Sequence, residues 1–581
     1  MKRIPTSLAI PVAMAMLFAA HDVLAQSDAG ALLNEQQKQK QAVPDRLPQE
    51  QGSVRPALKA AGGVKVSLRA VHFTGAAELA SEAELQAEVA DAVGHDVGFD
   101  AMQQLAERVT ALLHRKGYFL ARAYLPQQDV TSGTLEIALL HGRLDGKEGK
   151  GSPYTIVPDT GQPPRIAMER LDAIAAGHLS PGAAVSDNTL ERTVLLVNNL
   201  PGVSTQARLE AGAEPDSTRV VMDVREGPLL SGGVQLDNLG NSNTGATQLS
   251  VSGSLNDPLR IGDQLGAGET HSQGMNFSHL AYSLPLGSDG LRLAGSWAYM
   301  HYRIVDGTGE AAGLSGHSDY GTLGLSYPFI RSREANLYGN LTWGTKRLVD
   351  NATAGQLDDK RINEGTAGIS GDFLDRVGGG AYTAWSLSWT EGNLDLGSDA
   401  ANATADAAGY QTQGSFNKFN YGINRLQKLP ANFSVSASLT GQGANKNLDS
   451  AEKFILGGPY GVRAYPVGEG LGDDGWMVNL ELRYDLPQTE AGQWQFVTFY
   501  DNGHVTQHKD GDNIPVPTAT GDNGYSLSGW GLGVNFNSGR FNLRASWAQK
   551  IGDNPGRSKA GLDVDGHDDR SRFWLTASIA L

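Results

Sequence analysis

From Leu229 to Leu581 the chain alternates apolar and polar residues with a period of two, and keeps to it for 353 residues. That period places successive side chains on opposite faces of a strand. In "LRLAGSWAYM", Leu291, Leu293, Gly295, Trp297 and Tyr299 share one face; in "WMVNLELRY", Trp476, Val478, Leu480 and Leu482 oppose Asn479, Glu481 and Arg483. "YTAWSLSWT", "FSVSASLTG" and "FNLRASWAQK" repeat the pattern. A soluble sandwich alternates too, but three details favour a transmembrane β-barrel. The segments run about 9–11 residues, the length of a tilted spanning strand. Trp and Tyr recur near segment ends, where an interfacial girdle lies. The polar face carries Arg and Glu in mid-strand, which suits a wet lumen. At about 22 residues per strand and loop the region holds roughly 16 antiparallel strands. Proline-marked tight turns are expected at Pro285, Pro328, Pro430 and Pro487.

What precedes the barrel is organised differently. Lys2 and Arg3, an apolar run from Leu8 to Ala20 and the small residues before Gln26 make residues 1–25 a secretory signal peptide. No later run reaches 18 apolar residues, so no transmembrane helix is expected. The 581 residues include no cysteine, so stability must come without disulfides. A formal charge of −16 disfavours a nucleic-acid partner. Residues 26–45 hold "DAGALLNEQQKQKQ", which predicts a helix from Asp28, its cap, to Gln41, and 46–63 reads as a linker.

Residues 64–145 predict a β-α-α-β-β module. "VKVSLRAVHFTG" alternates as a strand, and Ser81 caps a first helix. A second runs from Asp100, as cap, to Gly117, with Leu105, Val109, Leu112 and Leu113 on one side. "YFLARAYLP" and "TLEIALLHGRL" follow as strands. Residues 150–226 repeat the order, and 229–581 form the barrel.

Motifs for chemistry are weak. "GGPYGVRAYPVGEG" (Gly457–Gly470) is Gly-rich but lacks the following helix and Lys-Ser/Thr of a phosphate cradle. No Gly-x-Ser-x-Gly elbow exists. His504 and His508 would lie roughly 13 Å apart on a strand, and the acidic run "DVDGHDD" (Asp563–Asp569) reads as a solvated loop without EF-hand spacing. No catalytic residue, cofactor or metal is expected, and the chain reads as no enzyme.

The blocks "HFTG…GYFLARAYLP…GTLEI", the barrel and the Val462-Arg463-Ala464-Tyr465 loop together resemble the two-partner secretion translocators of the haemolysin and filamentous-haemagglutinin secretion family. The resemblance covers nearly the whole chain. It implies two periplasmic α+β polypeptide-transport-associated (POTRA) domains before an outer-membrane barrel. An unfolded partner exoprotein, adhesin or haemolysin in type, would be captured in the periplasm and exported without ATP. It also implies that Arg463 latches a long loop to the barrel wall through Phe499 and Asp501, and that the N-terminal helix plugs the pore.

The expected client-docking strands carry Tyr118, Phe119, Leu120, Ala121, Arg122 and Ala123, and Val203 and Arg208. Ala464 stands where the family has Gly, losing easy access to positive φ. In a water-filled lumen the net value of the latch pair is expected near ~0–1 kcal/mol. Outer-membrane lipid and, during biogenesis, the barrel-assembly machinery are the other implied partners; the final strand "RFWLTASIAL" resembles an assembly signal. A barrel-assembly insertase of the same superfamily is the alternative reading, and a passive porin a weaker one.

Overall fold

Closing an alternating sheet on itself leaves no unpaired edge in lipid, which is why a chain of this pattern spans a membrane only as a barrel. The computed structural model describes residues 28–38 and 65–581, apart from 76–78, 119, 127, 141, 215–216, 399, 512–513, 515 and 517. The expected signal peptide and linker, and Phe119, lie outside the described residues. Sixteen antiparallel strands close the barrel, the first (Leu230–Asp237) pairing with the last (Ser571–Ala580). Trp297, Leu323, Leu341, Trp343, Leu480, Trp547 and Phe573 all point outward and are exposed, as a lipid-facing set must be. Met300, Tyr302, Leu348 and Ile362 are buried on the inside.

The strands depart from expectation in two ways. Ser315–Arg331, Ala335–Ala352 and Gly355–Asp375 run 17, 18 and 21 residues, well beyond a spanning length. Pro285 and Pro328 are not in turns but near strand ends. Pro328 sits at a register shift before Ile330, where a missing N–H costs the ladder least.

The first N-terminal domain consists of β1 (Lys65–Ser67), β2 (Ala70–Gly75), α2 (Glu82–Val89), β3 (Asp96–Gly98), α3 (Phe99–Arg115), β4 (Arg122–Tyr124) and β5 (Thr134–Leu140); α1 is the N-terminal helix Ala29–Lys38. The single strand expected over 64–75 is split, because β1 pairs with β3 while β2 joins the sheet β2-β5-β4. Ser81 and Glu84 make a reciprocal capping box on α2. The cap of α3 is Gly98 rather than Asp100, which lies in the first turn. Val109, Leu113 and Leu105 are buried, and Gly117 at φ +91° ends the helix.

The second domain consists of β6 (Arg143–Leu144), β7 (Tyr154–Pro158), α4 (Met168–His178), α5 (Asp187–Asn198), β8 (Val203–Ala211) and β9 (Ser217–Glu226). A boundary at 145 is corrected: β6 pairs with β9, and Leu144 joins the second core. Asp145 then anchors the β8–β9 turn, accepting from Ala213 N (2.9 Å), Glu214 N (3.1 Å) and Ser217 Oγ (2.8 Å). The Ala213 N–H above all holds its carboxyl down to about 2, from an ordinary 3.8. A depressed carboxyl stabilises the fold above its unfolded pKa, and that contribution is lost as pH falls from 3.8 toward 2. Asp145→Asn should remove this acid dependence, read as hydrogen exchange of the β8–β9 turn in the full chain.

The second domain abuts the barrel. Arg192 on α5 donates to Asp289 Oδ1 (2.8 Å) and Pro328 O (3.1 Å), and Arg331 donates to Asn199 (2.8 Å). These bonds hold β6–β9 beneath the barrel mouth.

Candidate functional site

The chain between strands Phe433–Ala444 and Asp474–Asp485 turns back into the lumen. Its tip folds on itself through glycines: Gly457 N reaches Glu469 O (2.7 Å), and Gly461 N reaches Gly458 O (2.9 Å). A Cβ on Gly461 would lie 2.1 Å from Leu456 O, so the close turn needs glycine there. Val462, Ala464 and Tyr465 are fully buried.

Arg463 meets the wall at several points. Its Nε and Nη2 donate to Asp501 at 2.9 and 2.7 Å, and its backbone N–H adds a third bond at 3.1 Å. Its guanidinium carbon lies 3.5 Å from the centre of the Phe499 ring. Phe499 and Asp501 lie on strand Gln493–Thr506, both buried, while Trp494, Phe496 and Tyr500 alternate outward. The structure therefore brings together the loop residues and both wall residues singled out from sequence. It adds three that sequence reasoning missed. Glu481 Oε1 accepts from Arg463 Nη1 (2.6 Å), Asn479 Nδ2 bridges Gly461 O (3.0 Å) and Asp501 (2.8 Å), and Trp574 Nε1 donates to Arg463 O (2.8 Å). Trp574 is on the last strand, so the loop touches the wall on both sides of its anchor.

The expected weakness of this pair is corrected. Asp501 is 0 % exposed and the Arg463 side chain 13 %, so the pair is not in open water. Breaking such a pair by removing one partner costs about 3–5 kcal/mol. Ala464 carries no penalty either. Among the described residues the non-glycines at positive φ are Asp257, Arg260, Gln411, Ala431 and Asn432, and Ala464 is not among them. Its methyl is instead matched to Gly529, where an added Cβ would lie 2.6 Å from it. Gly529→Ala should push the loop off the wall without unfolding the barrel; trypsin cleavage within the loop reports the displacement.

Two other expectations change. The acidic run at 563–569 is not simply solvated: Asp563 and Asp565 are buried, paired with Lys550 and Arg572. His508 lies beyond the strand that carries His504 and packs against Tyr410, ring centres 5.1 Å apart and planes tilted by 35°; burial, then Lys453, pushes its imidazole down to about 4.

The docking strand expected over 118–123 is largely absent. Only Arg122 and Ala123 of those residues are in β4; Tyr118, Leu120 and Ala121 form the turn after α3. That edge is also closed, since Thr110 Oγ1 accepts from Ala123 N (2.9 Å) and His114 meets Ala121 O (3.1 Å). On the opposite edge Gln86 takes the Val71 carbonyl (2.9 Å).

The edge carrying Val203 and Arg208 differs. β8 pairs on one side with β9, which Gly212 N also faces, so the odd-numbered residues turn their backbone outward. Asn198 satisfies Thr205 there (N–H to Oδ1 2.5 Å, Nδ2 to C=O 3.2 Å). No bond meets Ala207 or Leu209 on that side among the described residues. Arg208 points elsewhere, paired with Glu210 and Asp223.

Helix α1 lies inside the barrel, capped by Asp28 Oδ1, which accepts from Ala31 N (2.7 Å). Ala29, Leu32 and Leu33 share a buried cluster with Met275, Phe277 and Met300 of the inner wall.

The model of the family described as haemolysin secretion/activation protein ShlB/FhaC/HecB matches residues 216–536, and that of the ShlB-type POTRA domain matches 66–142. The heme/hemopexin transporter protein HuxB of Haemophilus influenzae is 26 % identical over 498 residues, 83 % of this chain and 81 % of that one. The outer membrane transporter CdiB of Dickeya dadantii is 25 % identical over 425 residues, 71 % and 72 % of the two chains. Among solved structures, CdiB from Escherichia coli shares the fold with a TM-score of 0.72 at 18 % identity, covering 96 % of this chain and 99 % of that one.

Proposed function

The chain belongs to the ShlB/FhaC/HecB haemolysin secretion/activation family, and we propose that it exports one large partner protein, captured unfolded on the open edge of β8 and threaded through the lumen. As an outer-membrane translocator of two-partner secretion type it holds its POTRA domains in the periplasm. The observation that carries this proposal is the outward backbone of Ala207 and Leu209, which no bond meets among the described residues. An extended client has unpaired N–H and C=O groups of its own, and adding it as a strand satisfies both sets. Such pairing reads backbone rather than side chains, so it suits an unfolded segment of an adhesin- or haemolysin-type exoprotein. Transport then needs no ATP: folding outside gives the direction. Arg463 holds the lumen loop in place, and α1 closes the lumen at rest.

A photo-reactive residue placed at 207 or 209 in exporting cells tests this. The exported protein should crosslink there and not from Ala123, whose backbone Thr110 already occupies. Equal capture at the two edges, or none at β8, would contradict it.

A further inference from the structure

Lys360 lies on the lumen face of strand Gly355–Asp375, its side chain 6 % exposed. Its ammonium meets carboxylates from three parts of the chain: Asp449 of the lumen loop at 2.7 Å, Asp28 at the start of α1 at 3.4 Å, and Asp358 of its own strand at 3.5 Å. The hydroxyl of Ser450, next to Asp449, donates to Asp28 at 2.7 Å. Farther along α1, Asn34 Nδ2 donates to Lys453 O (2.8 Å), and Lys38 donates to Ile455 O while lying 5.0 Å from the centre of the Phe454 ring. Contacts at 28, 34 and 38 span roughly 15 Å of helix, so α1 lies along loop residues 449–455. This is the half of the loop that precedes Arg463.

That half is fastened to the wall by a second cation group, with Lys346 on Glu364 and Glu452 and Lys418 on Glu452 (2.7 Å). Among the described residues, helix α1 has few other polar bonds to the barrel besides Lys360: Ala29 N donates to Asp350 of the wall (3.0 Å), and Asn241 Nδ2, in the connection after the first barrel strand, donates to Glu35 (3.0 Å). We infer that Lys360 is the positioning residue of the plug, one ammonium pinning α1 and the first half of the lumen loop to the barrel wall together. This rests on the reading of α1 as the plug.

The charge balance makes the pin sensitive. Without the ammonium, Asp28 and Asp449 face each other across the helix–loop contact with Asp358 and Asp350 nearby, and attraction becomes repulsion between buried carboxylates. The Arg463 anchor would stay made, because its acids, Asp501 and Glu481, are on other strands.

The test uses the full chain in planar bilayers, with gel mobility before and after heating as the check on barrel folding. Lys360→Met should raise open probability at least tenfold, toward that of a chain lacking residues 26–45. Lys360→Arg should restore closure. Asp28→Asn, which lies outside the barrel wall and leaves its folding untouched, should open the pore in the same sense. Lys360→Met should add nothing once the helix is deleted. A closed Lys360→Met pore alongside an open deletion would overturn the pin and leave the plug standing. A deletion that stays closed would overturn both.

Discussion

Arg463→Ala should reduce export at least a hundredfold while the barrel still folds. The substitution leaves Asp501 buried with Asn479 and one backbone N–H as its donors, while Glu481 keeps Arg483. Removing one partner of a buried pair costs about 3–5 kcal/mol, and each ~1.4 kcal/mol is tenfold in the docked population of the loop. The ring of Phe499 loses its cation as well. Arg463→Lys keeps the charge but not the planar fork that spans both Asp501 oxygens, so it should fall between. Export is read as the amount of partner protein in the medium, and folding as heat-dependent gel mobility. Normal export from Arg463→Ala would mean that the loop's position does not matter to transport.

Ala207→Pro should lower export about tenfold by a different route. Proline removes the outward N–H of β8, the donor an added strand needs first, and edge strands tolerate proline because their own ladder lies on the other side. Ala207→Val keeps the N–H and should export normally. Both variants should leave conductance unchanged, which separates failed capture from a damaged pore. Equal export from the two would remove β8 as the docking edge.

The two predictions differ in how far they could be read from sequence. Period two was enough to place Phe499 and Asp501 inward together, because alternation is local. Glu481 was visible as a lumen-facing acid, yet its role depends on register, which sets Glu481 opposite Phe499 only once the strands pair. Trp574 is 111 residues from Arg463 in the chain, and only closure of the barrel brings them together. Burial of the pair was likewise invisible, since packing by Val462, Ala464 and Tyr465 excludes the water that a lumen suggests.

The misread strand at 118–121 has a local cause. Tyr118 and Leu120 have strand propensity, but Gly117 ends α3 in a left-handed turn and His114 takes the Ala121 carbonyl, so the backbone there is spent before a strand begins. The acidic run at 563–569 misled for the opposite reason: its cations, Lys550 and Arg572, come from the two strands it connects.

The most direct test compares secreted and surface proteins of cells with and without this chain by mass spectrometry, with outer-membrane barrels quantified alongside. A translocator with one client predicts the loss of a single large exoprotein while every other barrel keeps its level. A general fall in barrel proteins would contradict that account in favour of an insertase, and an unchanged exoproteome would contradict export itself.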